Sequence, residues 1–161
     1  MRIYFAGPLF TLAEREFNVR LASELERRRS DVRFVLPQIE IATVGADLDS
    51  CRMIYSACLR LIEGCDMVVA ILDGADADSG TCVELGHAKA IGKPILGVRT
   101  DFRVLEDRGL NIMVAGVCDR VISIDSRGLL FDRLIDQIDL ALTELANAGM
   151  SSRDSGRRER L

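Results

Sequence analysis

Residues 66–94 read DMVVAILDGADADSGTCVELGHAKAIGKP, and the way that stretch divides decides the fold. Asp66 to Leu72 is a nearly unbroken apolar run, and a strand without a polar face is one buried on both sides, as in a parallel sheet. Asp73, Asp76 and Asp78 crowd into the loop that follows, and Ser79-Gly80-Thr81 then leads into a helix with Glu84 in its first turn. The helix is expected from about Thr81 to Ile91, ended by Gly92-Lys93-Pro94. Carboxylates thus gather where a strand ends and a helix begins, which is where open α/β sheets bind ligands. Like charges that close need hydrogen bonds, helix-end amides or raised pKa values, so this corner is a candidate site.

Upstream, Arg2 to Ala6 (RIYFA) reads as a first strand broken by Gly7-Pro8, and the missing side chain at Gly7 lets a ligand approach the backbone. Leu12 to Arg29 has helical spacing of Leu12, Phe17, Leu21 and Leu25. Val32 to Leu36 is a second strand halted by Pro37, and Gln38 to Asp49 is a loop containing Gly45. A helix capped by Asp49 or Ser50 runs to Glu63 with Met53, Ala57, Leu61 and Ile62 inward. Downstream, Pro94 to Val98 is a fourth strand, and Thr100 to Asp119 is a long segment of the kind that is usually functional or a lid. Arg120 to Ile124 is a fifth strand and Phe131 to Leu145 a last amphipathic helix.

Five strands alternating with helices predict an α/β fold, a flavodoxin-like doubly wound five-stranded parallel sheet with strand order 2-1-3-4-5 and helices on both faces. Residues 1–146 form one domain, and 147–161, small and charged, read as a disordered tail. This strand order sets Tyr4 to Pro8 beside Asp73 to Glu84, predicting one pocket.

Composition narrows the class. With 161 residues, a net charge of −4 and a pI near 5.1, the chain suits one soluble domain and not a nucleic-acid polymer, which calls for a basic surface. No apolar run approaches the ~20 residues of a membrane span, and Met1 leads straight into a strand without a signal-peptide pattern. A cytoplasmic protein is expected. The five cysteines form no C-x-x-C pair and there is one histidine, so no metal site is expected. Cys51, Cys58 and Cys65 recur every seven residues, as the buried stripe of one helix and its end would.

Thr81-Cys82-Val83-Glu84 matches S/T-x-x-E, a capping box, which would make Glu84 structural. Three features weigh against that reading. Asp78, Ser79 and Gly80 are capping candidates already, further carboxylates face Glu84, and Gly86 costs the helix ~1 kcal/mol unless something approaches closely there. A carboxylate at a helix N-terminus stays ionised, and beside a second, protonatable one it forms the pair that retaining glycosyl transfer requires. No G-x-G-x-x-G follows the first strand and there is no Walker lysine loop. The acidic loop repels phosphate, so a neutral, hydroxyl-rich ligand fits and no cofactor is implied.

On Ile3-Tyr4-Phe5-Ala6-Gly7-Pro8, Asp73, Asp78-Ser79-Gly80-Thr81-Cys82-Val83-Glu84-Leu85-Gly86 and Asn111-Ile112-Met113, the chain resembles the nucleoside 2-deoxyribosyltransferase family from Met1 to about Leu145. The resemblance implies nucleotide-salvage chemistry, the exchange of the base on a deoxyribonucleoside with a free nucleobase as partner substrate. It assigns Glu84 as the nucleophile of a covalent deoxyribosyl intermediate with net retention, Asp73 as the handler of the base proton and Tyr4 as the group orienting Glu84. Asp78 binds the sugar hydroxyls, with Gly7 and Gly80 lining the site. Asn111 and Met113 reach a neighbouring subunit's pocket, which implies a homo-oligomer, dimer or hexamer, with shared sites. His87 reads as a partly buried or surface histidine. Two rivals stand beside this reading. One is a hydrolase of 2-deoxynucleoside 5′-monophosphates, for which Arg99 and Arg103 could supply positive charge. The other is a non-catalytic nucleoside-binding module.

Overall fold

The computed structural model describes residues 1–41, 48–103, 109–128 and 131–158. Five strands form one sheet: β1 Arg2–Ala6, β2 Arg33–Val35, β3 Met67–Ile71, β4 Ile95–Arg99 and β5 Arg120–Ser123. All neighbours are parallel, in the order β2-β1-β3-β4-β5, as expected from the sequence. Among the described residues six α-helices surround it: α1 Leu12–Arg28, α2 Pro37–Glu40, α3 Leu48–Glu63, α4 Ser79–Ala90, α5 Ile112–Val117 and α6 Phe131–Arg158.

Strand alternation sorts the core into two layers. Ile3, Phe5, Val69, Ile71, Leu96 and Val98 pack on one face against Leu21 and Leu25 of α1 and Leu134, Ile138 and Leu142 of α6. Tyr4, Ala6, Val68, Ala70, Leu72 and Ile95 point to the other face and meet Ile62 of α3 with Leu85 and Ala88 of α4. All five residues of β3 are buried, which is why its sequence shows no polar alternation. The register pairs Tyr4 with Val68 and Ala6 with Ala70, so the carboxyl ends of β1 and β3 lie side by side.

Several local expectations are revised. Pro37 opens the short helix α2, its ring occupying an N-terminal position where no amide is needed. Gly45 and the residues before α3 lie outside the described set. Met53 is 60% exposed and does not face inward. The segment after Thr100 contains α5, whose N-cap Asn111 accepts from the Met113 amide; residues 104–108 of that segment lie outside the described set. The last helix runs past Leu145 to Arg158; residues 146–158 contain no proline to stop it. Among the described residues no helix is long and apolar enough to cross a membrane.

Candidate active site

The residue that starts α4 decides what Glu84 is for. Asp78 is the N-cap, its carboxylate accepting from the Thr81 amide at 2.8 Å and the Thr81 hydroxyl at 3.1 Å. Thr81 is therefore inside the helix with its hydroxyl already engaged, and the capping-box reading of Thr81 and Glu84 does not hold. Glu84 falls in the second turn, past the amides and positive end that the helix offers an anion.

Glu84 turns instead to the sheet. The buried Tyr4 hydroxyl donates to Glu84 Oε1 at 2.5 Å, a short, charge-assisted bond. Tyr4 is 0% exposed, and its outward step in the β1 alternation sends the ring to the α3–α4 face. Burial raises the Glu84 pKa above the ordinary carboxylate range, opposed by hydrogen bonds from Tyr4 and Cys58, with Asp78 adding a smaller upward push. The sequence expectation of a carboxylate kept acidic by a helix end is thus replaced by a partly desolvated one. Burial likewise drives the Tyr4 phenol far above its usual range, with the Glu84 charge adding to it, so Tyr4 remains a donor.

The third member of this group escaped the sequence reading. Cys58, from α3, interacts with both Tyr4 and Glu84, and burial raises its thiol pKa. The cysteine repeat is not a single buried stripe: Cys51 is exposed, Cys58 half-buried at the site and Cys65 buried beyond the helix. The available signal was helical geometry, since Ile62 faces the core and Cys58 lies four residues before it on the same face.

Glu84 and Cys58 line a hollow of about 280 Å³ with Leu9, Arg15, Pro37 and Gln38. Asp73 does not join them. It continues the alternation of Val69 and Ile71 toward the opposite face, where it accepts from the Thr100 amide and hydroxyl, each at 2.5 Å, and from the Asp101 amide at 2.9 Å. There it lines a separate, larger hollow of about 570 Å³ with Pro8, Phe17 and Asn18. The smaller hollow is the better candidate because burial raises the pKa of its carboxylate, whereas hydrogen bonds lower those of Asp101 and Glu14 in the larger one. The single pocket expected from strand order is thus two, one per face of the sheet.

The remaining expected residues scatter in role. Gly7 sits at φ +154°, and a Cβ there would stand 3.1 Å from Ile71 Cβ, so it closes the end of β1 against β3. Gly80 lies beside the cap, where a Cβ would stand 3.1 Å from Asp78 Oδ2. A Cβ at Gly86 would meet nothing within 4 Å, so no close approach explains that glycine. Asn111 caps α5, while Met113 is 78% exposed. His87 lies 3.5 Å from Glu63 and outside the Glu84 hollow. Arg99 is buried on the carbonyls of Leu72 and Gly74, at 2.6 and 3.0 Å, and Arg103 pairs with Asp101. Neither lines the Glu84 hollow; Arg15 does, with its guanidinium donating to the Leu9 and Gln38 carbonyls at 3.4 Å each. Among the described residues no cluster could hold a metal ion.

A doubly wound sheet whose first strand presents a buried tyrosine to a half-buried helical glutamate defines an α/β domain with a carboxylate at its switch point. Residues 3–158 match the family described as nucleoside 2-deoxyribosyltransferase, and the chain belongs to it. Among solved structures, a conserved protein from Enterococcus faecalis is 26% identical, with a TM-score of 0.68 over 88% of this chain and 98% of its own. The 2-deoxyribosyltransferase of Bacillus psychrosaccharolyticus is 21% identical, with a TM-score of 0.63 over 83% and 96% of the two chains. A CMP N-glycosidase of Clostridium botulinum shares the fold at 16% identity, with a TM-score of 0.56 over 87% and 99%.

Proposed function

We propose that this protein transfers the 2-deoxyribosyl group of a deoxynucleoside between nucleobases, with Glu84 as nucleophile. The observation that carries the reading is the part-buried Tyr4–Glu84 bond, with Glu84 lining a hollow, in a chain of this family. An ionised Glu84 attacks the anomeric carbon as the base departs, giving a glycosyl ester, and the incoming base displaces the ester from the opposite face. Two inversions leave the configuration retained. Tyr4 holds the attacking carboxylate in one orientation, which is the part of the barrier that positioning removes. Asp78, at the mouth of α4, is the candidate ligand of the sugar hydroxyls while it caps the helix.

The active species is proposed to be a homo-oligomer. Phe10, Leu12, Ile112 and Met113 are 72–78% exposed, apolar surface that a subunit contact would cover, and the family resemblance gives Met113 to a neighbour's pocket. A second reading, N-glycosidic hydrolysis of a nucleoside 5′-monophosphate, is favoured by one observation: the Arg15 guanidinium lines the Glu84 hollow, where it can meet a phosphate.

Purified protein incubated with deoxyinosine, with and without adenine or cytosine, decides among these. A new deoxynucleoside, absent from a Glu84→Gln control, supports transfer. Free hypoxanthine regardless of acceptor, or cleavage of the 5′-monophosphate alone, supports hydrolysis. Binding without turnover of either substrate would overturn both.

A further inference from the structure

Of the polar side chains that line the Glu84 hollow, Arg15 is the one whose hydrogen-bonding capacity is least used. Its half-buried guanidinium carries five N–H donors and no acceptor. Among the described residues the guanidinium's partners are the carbonyls of Leu9 and Gln38, each at 3.4 Å, longer than an ordinary N–H···O bond. The amides around it are fixed. Asn18 donates to the Pro8 carbonyl at 3.0 Å and to Gln38 Oε1 at 3.2 Å, and Gln38 Nε2 donates to the Arg15 carbonyl at 2.9 Å. A backbone carbonyl can only accept, so each amide is locked with its nitrogen toward a carbonyl, and turning Gln38 over would break both of its bonds. Leu9, Pro37, Ile41 and Ile54 add apolar surface. Apart from Glu84 and its partner Cys58, the wall therefore offers a ligand an apolar face and spare donors.

Resting on the transfer reading above, we propose that Arg15 reads the base and makes the site selective for deoxynucleosides of 6-oxopurines over those of adenine. The two kinds of base present opposite groups at the same place: O6 is an acceptor, whereas the N6 amino group of adenine is a donor. A donor-only guanidinium bonds the first and sets hydrogen against hydrogen with the second. A half-buried donor left without its partner loses what it had in water, which turns one unmade bond into discrimination. O6 alone takes the contact, so N7 stays open to the proton that departure of the base requires. A 5′-phosphate is the poorer occupant. It would bring its negative charge into the hollow that holds Glu84, and Pro37 at the start of α2 has no N–H to offer it.

The test is calorimetric binding of deoxyinosine and deoxyadenosine to protein carrying Glu84→Gln, which holds a nucleoside without turning it over. Deoxyinosine should bind about tenfold to a hundredfold more tightly, the span of one hydrogen bond to a charged donor. Added to that background, Arg15→Gln should abolish most of the preference, because an amide can donate or accept; Arg15→Lys, a donor only, should keep part of it. Equal affinities before the substitution, or a preference for deoxyadenosine, would overturn the proposal. Equal weakening of both nucleosides by both variants would make Arg15 only a tether of Leu9 and Gln38, and would overturn it too. The 5′-monophosphates of the two nucleosides form a second arm. If Arg15→Gln weakened both monophosphates alike and left both nucleosides unchanged, Arg15 would be a phosphate ligand and the proposal would fail. Thermal melts identify a variant that has simply unfolded, and Arg15→Met then makes the same comparison as Arg15→Gln. Turnover by the wild type is read separately. Selective binding without transfer removes the transfer reading and leaves the base selectivity standing; transfer without selectivity does the reverse; binding of neither nucleoside ends both.

Discussion

Replacing Tyr4 by Phe removes one hydroxyl and leaves the ring that fills the core. That hydroxyl is 2.5 Å from Glu84 Oε1 in a fully buried position, and a hydrogen bond to a charged group contributes about 1.5–3 kcal/mol. The donor favours the anion, so its loss disfavours ionisation. The Glu84 pKa, already raised by burial, should rise further, and because activity needs the ionised form the acid limb of the kcat/KM profile should move toward neutral pH. The plateau should fall as well, because the carboxylate is no longer held in one orientation. The assay is deoxyribosyl transfer followed by chromatography across the acid limb, with thermal melts in the same buffers. The melts carry a second sign: the stability deficit of Tyr4→Phe should grow as pH rises through the Glu84 pKa and shrink in acid, where the lost bond served a neutral partner. An acid limb that stays in place in a folded variant would refute the coupling between the two groups.

Asp78→Ala removes the N-cap of α4 and should cost about 0.5–2 kcal/mol, seen as a lower denaturation midpoint with an unchanged slope; a rise in KM beyond that would add the sugar-binding role. Asp73→Asn breaks up the three hydrogen bonds that fasten Thr100 and Asp101. It should lower stability by about 1–3 kcal/mol while costing far less kcat than Glu84→Gln, and a loss equal to that of Glu84→Gln would return Asp73 to the chemistry. Met113→Asp should weaken assembly in sedimentation and lower activity. Mixed with the inactive Glu84→Gln protein it should regain part of the activity, because each variant supplies what the other lacks; no regain at any ratio would argue against shared sites.

The sheet was readable because a parallel strand leaves a plain mark: Met67 to Ile71 is apolar throughout, and punctuation by Gly7-Pro8 and Gly92-Lys93-Pro94 separates the elements. The site was readable in part. Tyr4 and Glu84 meet as expected, since strand order alone puts β1 beside β3. The start of α4 was harder to place. Asp78, Ser79 and Thr81 can each accept from a helix amide, and spacing cannot rank them; the three-residue shift from Thr81 to Asp78 moves Glu84 from the first turn to the second. Asp73 could have been placed correctly. The period of two that sends Val69 and Ile71 to one face sends Asp73 there too, away from Tyr4, but the proximity of aspartates in sequence suggested proximity in space. Cys58 was hidden because a seven-residue spacing of cysteines looks like packing.

Glu84 sits where folding alone would not put a carboxylate. A place in the first turn of α4 would have given it amides and a favourable dipole; the second turn gives it burial, which raises its pKa above the value in the unfolded chain. By linkage, the contribution of such a group to stability is greatest below its unfolded pKa and declines as pH rises through the folded one. Glutamine at this position does not titrate and keeps the shape. Glu84→Gln should therefore gain stability relative to wild type as pH rises through that window and hold the gain at neutral pH, while its transfer activity falls by at least about a thousandfold. Denaturation of the two proteins in parallel at acid and neutral pH measures the first effect, and the chromatographic assay the second. A difference in stability that stays constant with pH would mean that Tyr4 and Cys58 fully offset the burial. A variant that lost stability on going from acid to neutral pH would reverse the sign of the shift, and with it the account of Glu84 as a carboxylate kept reactive by partial removal from water.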